Sequence, residues 1–290
     1  MITLNLEAKT EPKVTLGLCV KNAEKTVREA INSVISQTYP SELMELFVVD
    51  DDSKDNTLSI IKSAISTTDI QTKIYSHNQS TGLGYARQIV VSNSEGKYII
   101  FVDGDARLLN DYVQKQVEFM EQNPKVGRAE GRVMYEDGTL IATLQSLRDH
   151  IEYNKSLGQG AAAIFRVEAL RQVGGYDKNI KGAAEDIDVV LRIRAKDWIL
   201  SANEKARFYH KSRENLKEFL AHRIWYGYGW HYLDHKHTHS YPLWRYVPLG
   251  DFIHGLKLAL RSYELKHRKI SFLMPLLLVL GRMAFWFGFV

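Results

Sequence analysis

Short apolar runs alternate with amphipathic stretches along the first hundred residues of the chain. The runs are rich in β-branched and aromatic residues and are apolar at odd and even positions alike, which is typical of strands buried on both faces. The stretches between them place apolar residues at helical spacing. The pattern predicts strands over Val14–Val20, Leu46–Asp50, Lys73–His77 and Tyr98–Val102, and helices over residues 23–37, 56–65 and 84–92. Because strands and helices alternate, we predict an α/β domain with a mainly parallel sheet.

Acidic residues follow two of these predicted strands. Residues 50–52 are all aspartates, and Asp103-Gly104-Asp105 comes directly after the fourth run. Ligands of parallel α/β sheets bind beyond the carboxyl ends of the strands. Two carboxylates one residue apart can converge on Mg²⁺ or Mn²⁺, which prefer oxygen ligands, and the intervening glycine lets a phosphate approach. Helix capping by Asp55 is the alternative explanation for the first cluster.

A second acidic pair, Glu185-Asp186, precedes a predicted amphipathic helix over residues 187–195. The helix dipole favours acidic residues near a helix start, which gives a purely structural explanation. A hydroxyl that attacks a substrate must lose its proton, and a positioned carboxylate can accept it. The pair is therefore a candidate general base.

Composition and charge narrow the function classes. The 290 residues include 38 Lys and Arg against 34 Asp and Glu, and the resulting net charge of +4 is too small to predict nucleic-acid binding. The single cysteine, Cys19, cannot form an intrachain disulfide, which is compatible with a reducing compartment. Residues 254–269 alone carry a net charge of +4, whereas residues 1–253 carry −1. We therefore expect no nucleic-acid partner and a basic segment that contacts an anionic membrane surface.

An apolar tail follows the basic segment. Residues 270–290 hold sixteen apolar side chains in twenty-one positions, close to the roughly 20 that a membrane-spanning helix needs. Arg282 near the middle opposes insertion by about 2.5–3.5 kcal/mol, and Pro275 weakens a regular span. We favour a helix lying in the membrane interface over a spanning one, with packing on the domain or in a homo-oligomer contact as alternatives. Residues 254–290 are thus predicted to associate with a membrane.

Aromatic and histidine residues are concentrated just before the basic segment. Residues 222–246 contain eight aromatic residues and five histidines. Trp and Tyr favour sugar faces and also the membrane–water interface. We consider three interpretations of this segment: a loop that covers a sugar-containing acceptor molecule, a surface that faces a membrane, and simple packing against the rest of the domain. Under the first interpretation Trp225 and Tyr228, together with Arg213, are candidate acceptor-binding residues.

Six motifs in order give the sequence a family resemblance. They are residues 30–40, 48–53, 78–87, 96–105, 158–177 and 185–186. In this order they resemble the family-2 glycosyltransferases, which are inverting, nucleotide-sugar-dependent enzymes with the GT-A fold. The resemblance extends from about Val14 to about Gly229. It implies a mixed, mainly parallel central sheet flanked by helices, here followed by a C-terminal helical extension.

The resemblance also implies roles for particular residues. Asp186 corresponds to the catalytic base, with Glu185 positioning it or touching the acceptor. A divalent ion, Mn²⁺ or Mg²⁺, would be held by Asp103 and Asp105, with His210 as a third ligand or an ordinary surface histidine. The residues implied in nucleotide binding are Val20, Asn22, Asp50, Asp51, Arg87, Asp103 and Gly104.

Two departures from the family pattern qualify these expectations. Asp52 stands where the family usually has glycine, which leaves the identity of the nucleobase open. Processive synthases carry a Gln-x-x-Arg-Trp signature, and residues 222–225 fit it poorly. This disfavours a polymerising synthase that extrudes its product.

The leading hypothesis is a metal-dependent inverting glycosyltransferase, with a hexosyl unit as the expected transferred group. It would act at the cytoplasmic face of a membrane on a hydroxyl of a lipid-linked or membrane-proximal glycan. We expect a catalytic domain over residues 1–220, with a nucleotide-binding half over about 13–105 and an acceptor half over about 106–220. Residues 221–290 would form an aromatic and His-rich loop, a basic helix and the apolar tail.

Three alternatives remain. A polyprenyl-phosphate sugar synthase would need basic residues near the crevice for its lipid phosphate, and Arg128, Arg132 or Arg213 are candidates. A sugar nucleotidyltransferase is disfavoured because residues 14–22 contain one glycine instead of a glycine-rich nucleotide loop. A non-catalytic sugar-binding relative is disfavoured because the acidic motifs are intact.

Overall fold

The apolar runs of the sequence form the centre of an eight-stranded sheet. A computed structural model describes residues 13–152, 161–180, 182–237 and 248–290. The strands are β1 (Val14–Val20), β2 (Met44–Asp50), β3 (Gln71–Ser76), β4 (Tyr98–Phe101), β5 (Ala106–Leu108), β6 (Val126–Met134), β7 (Ile164–Arg166) and β8 (Ile199–His210). Their order across the sheet is β3-β2-β1-β4-β7-β6-β8-β5.

The sheet is mixed and mainly parallel. Strands β1 to β4 are mutually parallel, and β6 runs parallel to β8. The short strands β7 and β5 are antiparallel to their neighbours. As a result, the carboxyl ends of β1, β2, β4 and β8 and the amino ends of β5 and β7 share one edge of the sheet. The predicted parallel arrangement of the first half is confirmed.

Helices cover both faces of this sheet. They are α1 (Val27–Ile35), α2 (Thr57–Ile65), α3 (Leu83–Asn93), α4 (Tyr112–Gln122), α5 (Leu140–Glu152), α6 (Val167–Gln172) and α7 (Glu185–Arg194). Alternate strand residues serve the two layers: Leu46 and Val48 pack with α1 and α2, whereas Phe47 and Val49 pack with α3 and α7. This two-sided burial explains why the strands are apolar throughout their length.

Three further helices follow β8. They are α8 (Leu216–Lys236), α9 (Pro248–Lys266) and α10 (Met274–Phe289), with a short 3₁₀ helix over Lys269–Leu273. Their buried side chains form a third apolar cluster with α5, which includes Leu144, Phe219, Leu258 and Leu277. The C-terminal helices therefore pack against α5 of the α/β domain and form the predicted helical extension.

The structure corrects the prediction of an aromatic and His-rich loop. Residues 222–236 belong to the regular helix α8, and residues 238–247 lie outside the described residues. The expected division at residues 220 and 221 falls inside this helix. The acidic pair Glu185-Asp186 forms the first turn of α7, where the sequence predicted a helix beginning at residue 187.

The apolar tail is helical and its charge is paired. Lys269–Phe289 is long and apolar enough to cross a membrane, with a mean hydropathy of 1.9, although 44% of its most apolar window is buried in the protein. Length and composition alone support this, and the core helix of a soluble protein would meet the same criteria. Arg282 donates to Asp251 of α9 from Nε at 2.5 Å and from a second nitrogen at 3.2 Å. The charge that disfavoured insertion is therefore neutralised by a neighbouring helix.

Candidate active site

Two carboxylates and an imidazole meet at the edge of the sheet where β4 and β8 end. Asp103 and Asp105 follow β4, and β5 pairs antiparallel with β8 so that Ala106 lies opposite His210. One potential ligand atom from each of Asp103, Asp105 and His210 lies within 4.8 Å of the others. Two carboxylate oxygens and an imidazole nitrogen suit Mn²⁺ or Mg²⁺. The structure thus brings together the three residues expected to hold a metal.

Positive groups surround Asp105. Its Oδ1 lies 3.1 Å from His210 Nε2, and its Oδ2 accepts a hydrogen bond of 2.8 Å from Arg213. Burial acts to raise the pKa of Asp105, but His210 and Arg213 outweigh it and hold that pKa well below the usual value. Burial likewise opposes protonation of His210, yet Asp105 raises the pKa of this histidine to about 9. Asp105 is therefore ionised, as a metal ligand must be, whereas His210 would have to release its proton to bind a metal.

Arg87 of α3 connects Asp103, a candidate metal ligand, to the predicted base motif. The side chain is 2% exposed and donates to Glu185 Oε1 at 2.6 Å and to Asp103 Oδ1 at 2.9 Å. Its guanidinium also lies 5.4 Å from the ring centre of Phe101 and 5.7 Å from that of Tyr176. Among the residues described, Arg87 is thus a shared counter-charge for two carboxylates that sequence analysis assigned to different functions.

The base motif is buried at the start of α7. Glu185 and Asp186 are 3% and 9% exposed, and Ala184 before them adopts a left-handed backbone with φ +80°. Burial raises the pKa of Glu185 to about 8 against the opposing charge of Arg87. Burial also raises the pKa of Asp186, again opposed by Arg87. A carboxylate with a raised pKa is a stronger base, which suits proton abstraction from a hydroxyl.

The two aspartates after β2 have different environments. Asp51 accepts hydrogen bonds from the Ser80 and Thr81 side chains and from the backbone N–H groups of Thr81 and Gly82, at 2.7–3.1 Å. Burial alone would raise the pKa of Asp51, but these hydrogen bonds outweigh it and lower that pKa. Asp50 accepts a hydrogen bond from Ser76 at Oδ2, and its buried Oδ1 has no partner among the described residues. Asp51 therefore holds a loop, whereas one buried oxygen of Asp50 makes no such bond.

Val20, Asn22 and Gly104 shape the same corner of the sheet edge. Asn22 accepts from the Lys54 backbone at Oδ1, so its carbonyl oxygen holds the loop after β2. Gly104 lies against Val20, since a Cβ at residue 104 would come within 2.8 Å of the valine Cγ1. Close packing against Val20 therefore favours a glycine between the two aspartates.

Helix α8 brings aromatic residues to the site, and two of them were missed by sequence reasoning. Burial raises the pKa of Tyr226, and the nearby carboxylates Asp186 and Glu185 add to this effect. Burial is the main cause that lowers the pKa of His222 to about 3, and the positive charge of Arg213 contributes next. Spacing of i and i+4 places both on one side of α8, and that spacing was the available signal.

Of the predicted acceptor residues, Arg213 and Trp225 lie near this group, and Tyr228 lies on another side of the helix. Arg213 contacts Asp105, as described above. Trp225 stacks on His222 with ring centres 5.8 Å apart. Tyr228 is 58% exposed, and a Cβ on Gly182 would lie 2.9 Å from its Cδ1.

The arginines considered for a lipid phosphate are mostly engaged elsewhere. Arg128 is 1% exposed and pairs with Glu130 at 2.7 Å. Arg132 pairs with Glu204 at 3.6 Å, which leaves Arg213 as the candidate beside the metal-binding residues. A cavity of about 660 Å³ lined by Lys97, Arg166 and neighbouring residues lies at the opposite edge of the sheet. Geometry and charge, not cavity size, therefore locate the candidate site.

Comparison with known families agrees with this arrangement. The sequence profile described as Glycosyl transferase family 2 matches residues 15–174, which is more than half of the chain. The chain belongs to glycosyl transferase family 2. A second profile, Glycosyl transferase family group 2, matches residues 98–289 and includes the C-terminal helices. The family predicted from the six motifs is confirmed.

Individual relatives share the family and the fold. An uncharacterized glycosyltransferase of Haemophilus influenzae is 34% identical over 112 residues, which make up 39% of this chain and 44% of the relative. Poly-beta-1,6-N-acetyl-D-glucosamine synthase of Staphylococcus epidermidis is 25% identical over 230 residues, or 75% of this chain and 54% of that protein. The match to these two relatives thus spans about half of their length.

A solved structure confirms the GT-A fold. Mannosyltransferase PcManGT from Pyrobaculum calidifontis, solved in complex with GDP-Man and Mn²⁺, superimposes with a TM-score of 0.64 at 18% identity. The superposition covers 95% of this chain and 74% of that one. At this level of identity the likeness concerns the fold alone.

Replacing Arg87 with methionine is expected to lower the free energy of unfolding by about 3–5 kcal/mol, because it leaves the buried Glu185 carboxylate without its counter-charge. Urea denaturation of both proteins measures the change. Lys211→Met is the control: it breaks an ion pair with Glu214 whose side chains are about half exposed, so the expected change is below about 1 kcal/mol. Equal stability of the Arg87 variant and the unmodified protein would contradict the assigned role.

Proposed function

We propose that this chain is a metal-dependent inverting glycosyltransferase that transfers a sugar from a nucleotide-sugar to a hydroxyl of a lipid-linked or membrane-proximal acceptor. The observation that carries the proposal is the juxtaposition of two groups across Arg87. On one side lie Asp103 and Asp105 with His210, and on the other lies the buried pair Glu185-Asp186. A metal-binding group beside a buried base is what transfer of a glycosyl group from a diphosphate to a hydroxyl requires.

The donor would bind along the carboxyl ends of β1, β2 and β4. Asp50 would accept a hydrogen bond from the nucleobase or ribose, because its buried Oδ1 lacks another partner. Gly104 leaves room beside Val20 where a side chain would intrude. Asp103, Asp105 and His210 would hold a divalent cation, which supplies charge neutralisation for a departing nucleoside diphosphate. The GDP-Man and Mn²⁺ of the PcManGT complex support this class of donor and metal.

Asp186 would act as the catalytic base. Its carboxylate would accept the proton of the acceptor hydroxyl as the hydroxyl oxygen attacks the anomeric carbon of the donor. The bond from that carbon to the diphosphate oxygen breaks in the same displacement, so the configuration at the anomeric carbon inverts. Glu185 would position the acceptor or the base, since Arg87 holds it at 2.6 Å.

The acceptor would lie against α8. His222 and Tyr226 are on the side of this helix that interacts with the carboxylates, and Trp225 stacks on His222. Aromatic rings of this kind pack well on sugar faces. Ile224 and Tyr228 lie on the opposite side of α8 and are 42% and 58% exposed, which gives this helix an exposed apolar border. This border supports an acceptor that carries a lipid or lies close to one.

Helices α9 and α10 would attach the protein to the cytoplasmic face of a membrane. Leu256, Leu260 and Leu276 are each more than two-fifths exposed. Lys257 and Arg261 lie between exposed leucines of α9, and both are exposed. Exposed apolar side chains interspersed with basic ones match the chemistry of an anionic membrane surface.

Asp103→Asn and Asp105→Asn are each expected to weaken Mn²⁺ binding at least tenfold, because each replacement removes a charged oxygen ligand. Isothermal titration calorimetry with Mn²⁺ and a nucleoside diphosphate measures this. Asp111→Asn at the start of α4 is the matched control and should bind like the unmodified protein. If either site variant binds Mn²⁺ as tightly as the control, the metal assignment is wrong.

Asp186→Asn is expected to reduce kcat by about 10²–10⁴, because the amide cannot accept the hydroxyl proton. Donor affinity should be retained, and a thermal-shift titration with the nucleotide-sugar measures it. Asp197→Asn, an exposed acid just beyond α7, is the control and should transfer normally.

The same assignment has a pH dependence. The base must be ionised, and burial raises the pKa of Asp186 from the ordinary 3.8. Activity should therefore fall as pH decreases through a value above 3.8. An acidic limb at or below pH 3.8, or full activity in the Asp186 variant, would refute Asp186 as base.

Replacing Lys257 and Arg261 together with glutamate is expected to weaken binding to phosphatidylserine-containing vesicles at least tenfold. Each basic residue near an anionic surface contributes about 1 kcal/mol. Vesicle flotation of the full chain measures the change, with pure phosphatidylcholine vesicles for comparison. Arg194→Glu with Lys196→Glu at the end of α7 makes the same charge change elsewhere and should bind normally. Equal flotation of both double variants would exclude α9 as the membrane contact.

A further inference from the structure

The segment that precedes the base motif rests directly on the backbone of α8. A Cβ on Gly229 would lie 1.8 Å from the carbonyl oxygen of Ala183 and 2.6 Å from its backbone nitrogen. A Cβ on Gly182 would in turn lie 2.8 Å from the nitrogen of Gly229. We call residues 182–184 the base segment. Its contact with α8 is backbone against backbone, so no side-chain rotation can make room for an added group.

Helix α3 supports the same region through a second glycine. A Cβ on Gly84 would lie 2.6 Å from the carbonyl oxygen of Asp177 and 3.4 Å from the Cβ of Glu185. Arg87, one turn further along α3, donates to Glu185. Asp177 and Glu185, on either side of the base segment, therefore lie in close contact with α3.

Ion pairs at the end of α8 reinforce the contact. Lys236 donates to Asp177 at 2.6 Å and lies 2.8 Å from Asp188, and His237 Nε2 lies 2.9 Å from the same Asp188 oxygen. Asp188 is fully buried and belongs to the first turn of α7, two residues after Asp186. The end of α8 thus contacts Asp177, which precedes the base motif, and Asp188 in the helical turn that contains it.

The apolar helix α10 supports α8 through equally close contacts. A Cβ on Gly227 would lie 2.0 Å from the carbonyl oxygen of Phe285, and a Cβ on Gly288 would lie 1.8 Å from that of Ile224. Glycines on both helices therefore let their backbones touch. The position of α8 over the base segment depends in part on the C-terminal helix.

We propose that Gly229 is a positioning residue for Asp186, and that α8 acts as the platform on which the base segment sits. The left-handed backbone of Ala184 turns the chain from this platform into α7. A side chain at residue 229 would push the base segment away and carry the Asp186 carboxylate with it. The inference rests on the proposed function, in which Asp186 is the base.

The test is Gly229→Ala in the full chain. A displacement of about 1 Å at a catalytic group can reduce turnover by about 10²-fold. We therefore expect kcat to fall by about that factor while the KM for the nucleotide-sugar stays unchanged, because the donor-binding strand ends do not touch Gly229. A larger residue, Gly229→Val, should reduce kcat further.

Gly281→Ala is the matched control for helix packing. Its Cβ would meet side-chain atoms of Phe219 and Arg223, and not the base segment. It should retain kcat. An unchanged kcat in Gly229→Ala, an equal loss in Gly281→Ala, or a parallel loss of donor binding would each overturn the proposal.

Two further measurements keep the proposal testable if Gly229→Ala fails to fold or if transfer is absent. Lys236→Met removes the ion pairs without adding bulk and should lower kcat, and Lys236→Arg should restore it; equal activity of the two would overturn the proposal. Amide hydrogen exchange needs no activity: Lys236→Met should accelerate exchange at residues 183–188 and leave β1 and β2 unchanged. Uniform acceleration would indicate a general structural role. Transfer that survives Asp186→Asn, with local acceleration in Lys236→Met, would refute the base assignment and leave the platform intact.

Discussion

Arg87 donates to Glu185 on one side and to Asp103 on the other, so one buried guanidinium joins α3, the end of β4 and the start of α7. An ionised carboxylate removed from water is costly unless a counter-charge and hydrogen bonds compensate it. The sheet brings several carboxylates to one edge, and burial raises the pKa values of Glu185 and Asp186 there. Arg87 supplies the positive charge that allows Glu185 and Asp103 to lie close together. The end of β4 and the start of α7 are consequently held at a fixed distance from each other.

The position of the site followed from the sequence because of a simple geometric rule. Parallel strands end at the same edge of a sheet, so the acids after β2 and β4 had to converge. The bounds of β1 were predicted as the structure has them, because its residues are apolar on both faces and polar residues flank it. His210 could be placed beside Asp105 only through the family resemblance. The pairing of β5 with β8 that joins them lies in a three-residue strand, too short to give a pattern.

Other features left no periodic signal. Apolar, aromatic and charged residues of α8 occur on all sides of the helix, because its different sides contact the site, α10 and solvent. A helix with no single apolar face is indistinguishable from an irregular segment by periodicity. Arg128 illustrates a second limit. The sequence made it a candidate for binding a lipid phosphate, but the fold buries it against Glu130. Pairing of a charge depends on tertiary contacts that the local sequence does not contain.

Helix α8 also explains why the C-terminal region belongs with the catalytic domain. One side carries His222 and Tyr226 toward the carboxylates, and Gly229 touches the segment before the base. The opposite side exposes Tyr228, and close glycine contacts join the helix to α10. A polar site and an apolar surface therefore share one rigid element about 30 Å long. The local excess of positive charge, which the mean composition of the chain conceals, lies in residues 254–269, next to the exposed leucines of α9 and α10.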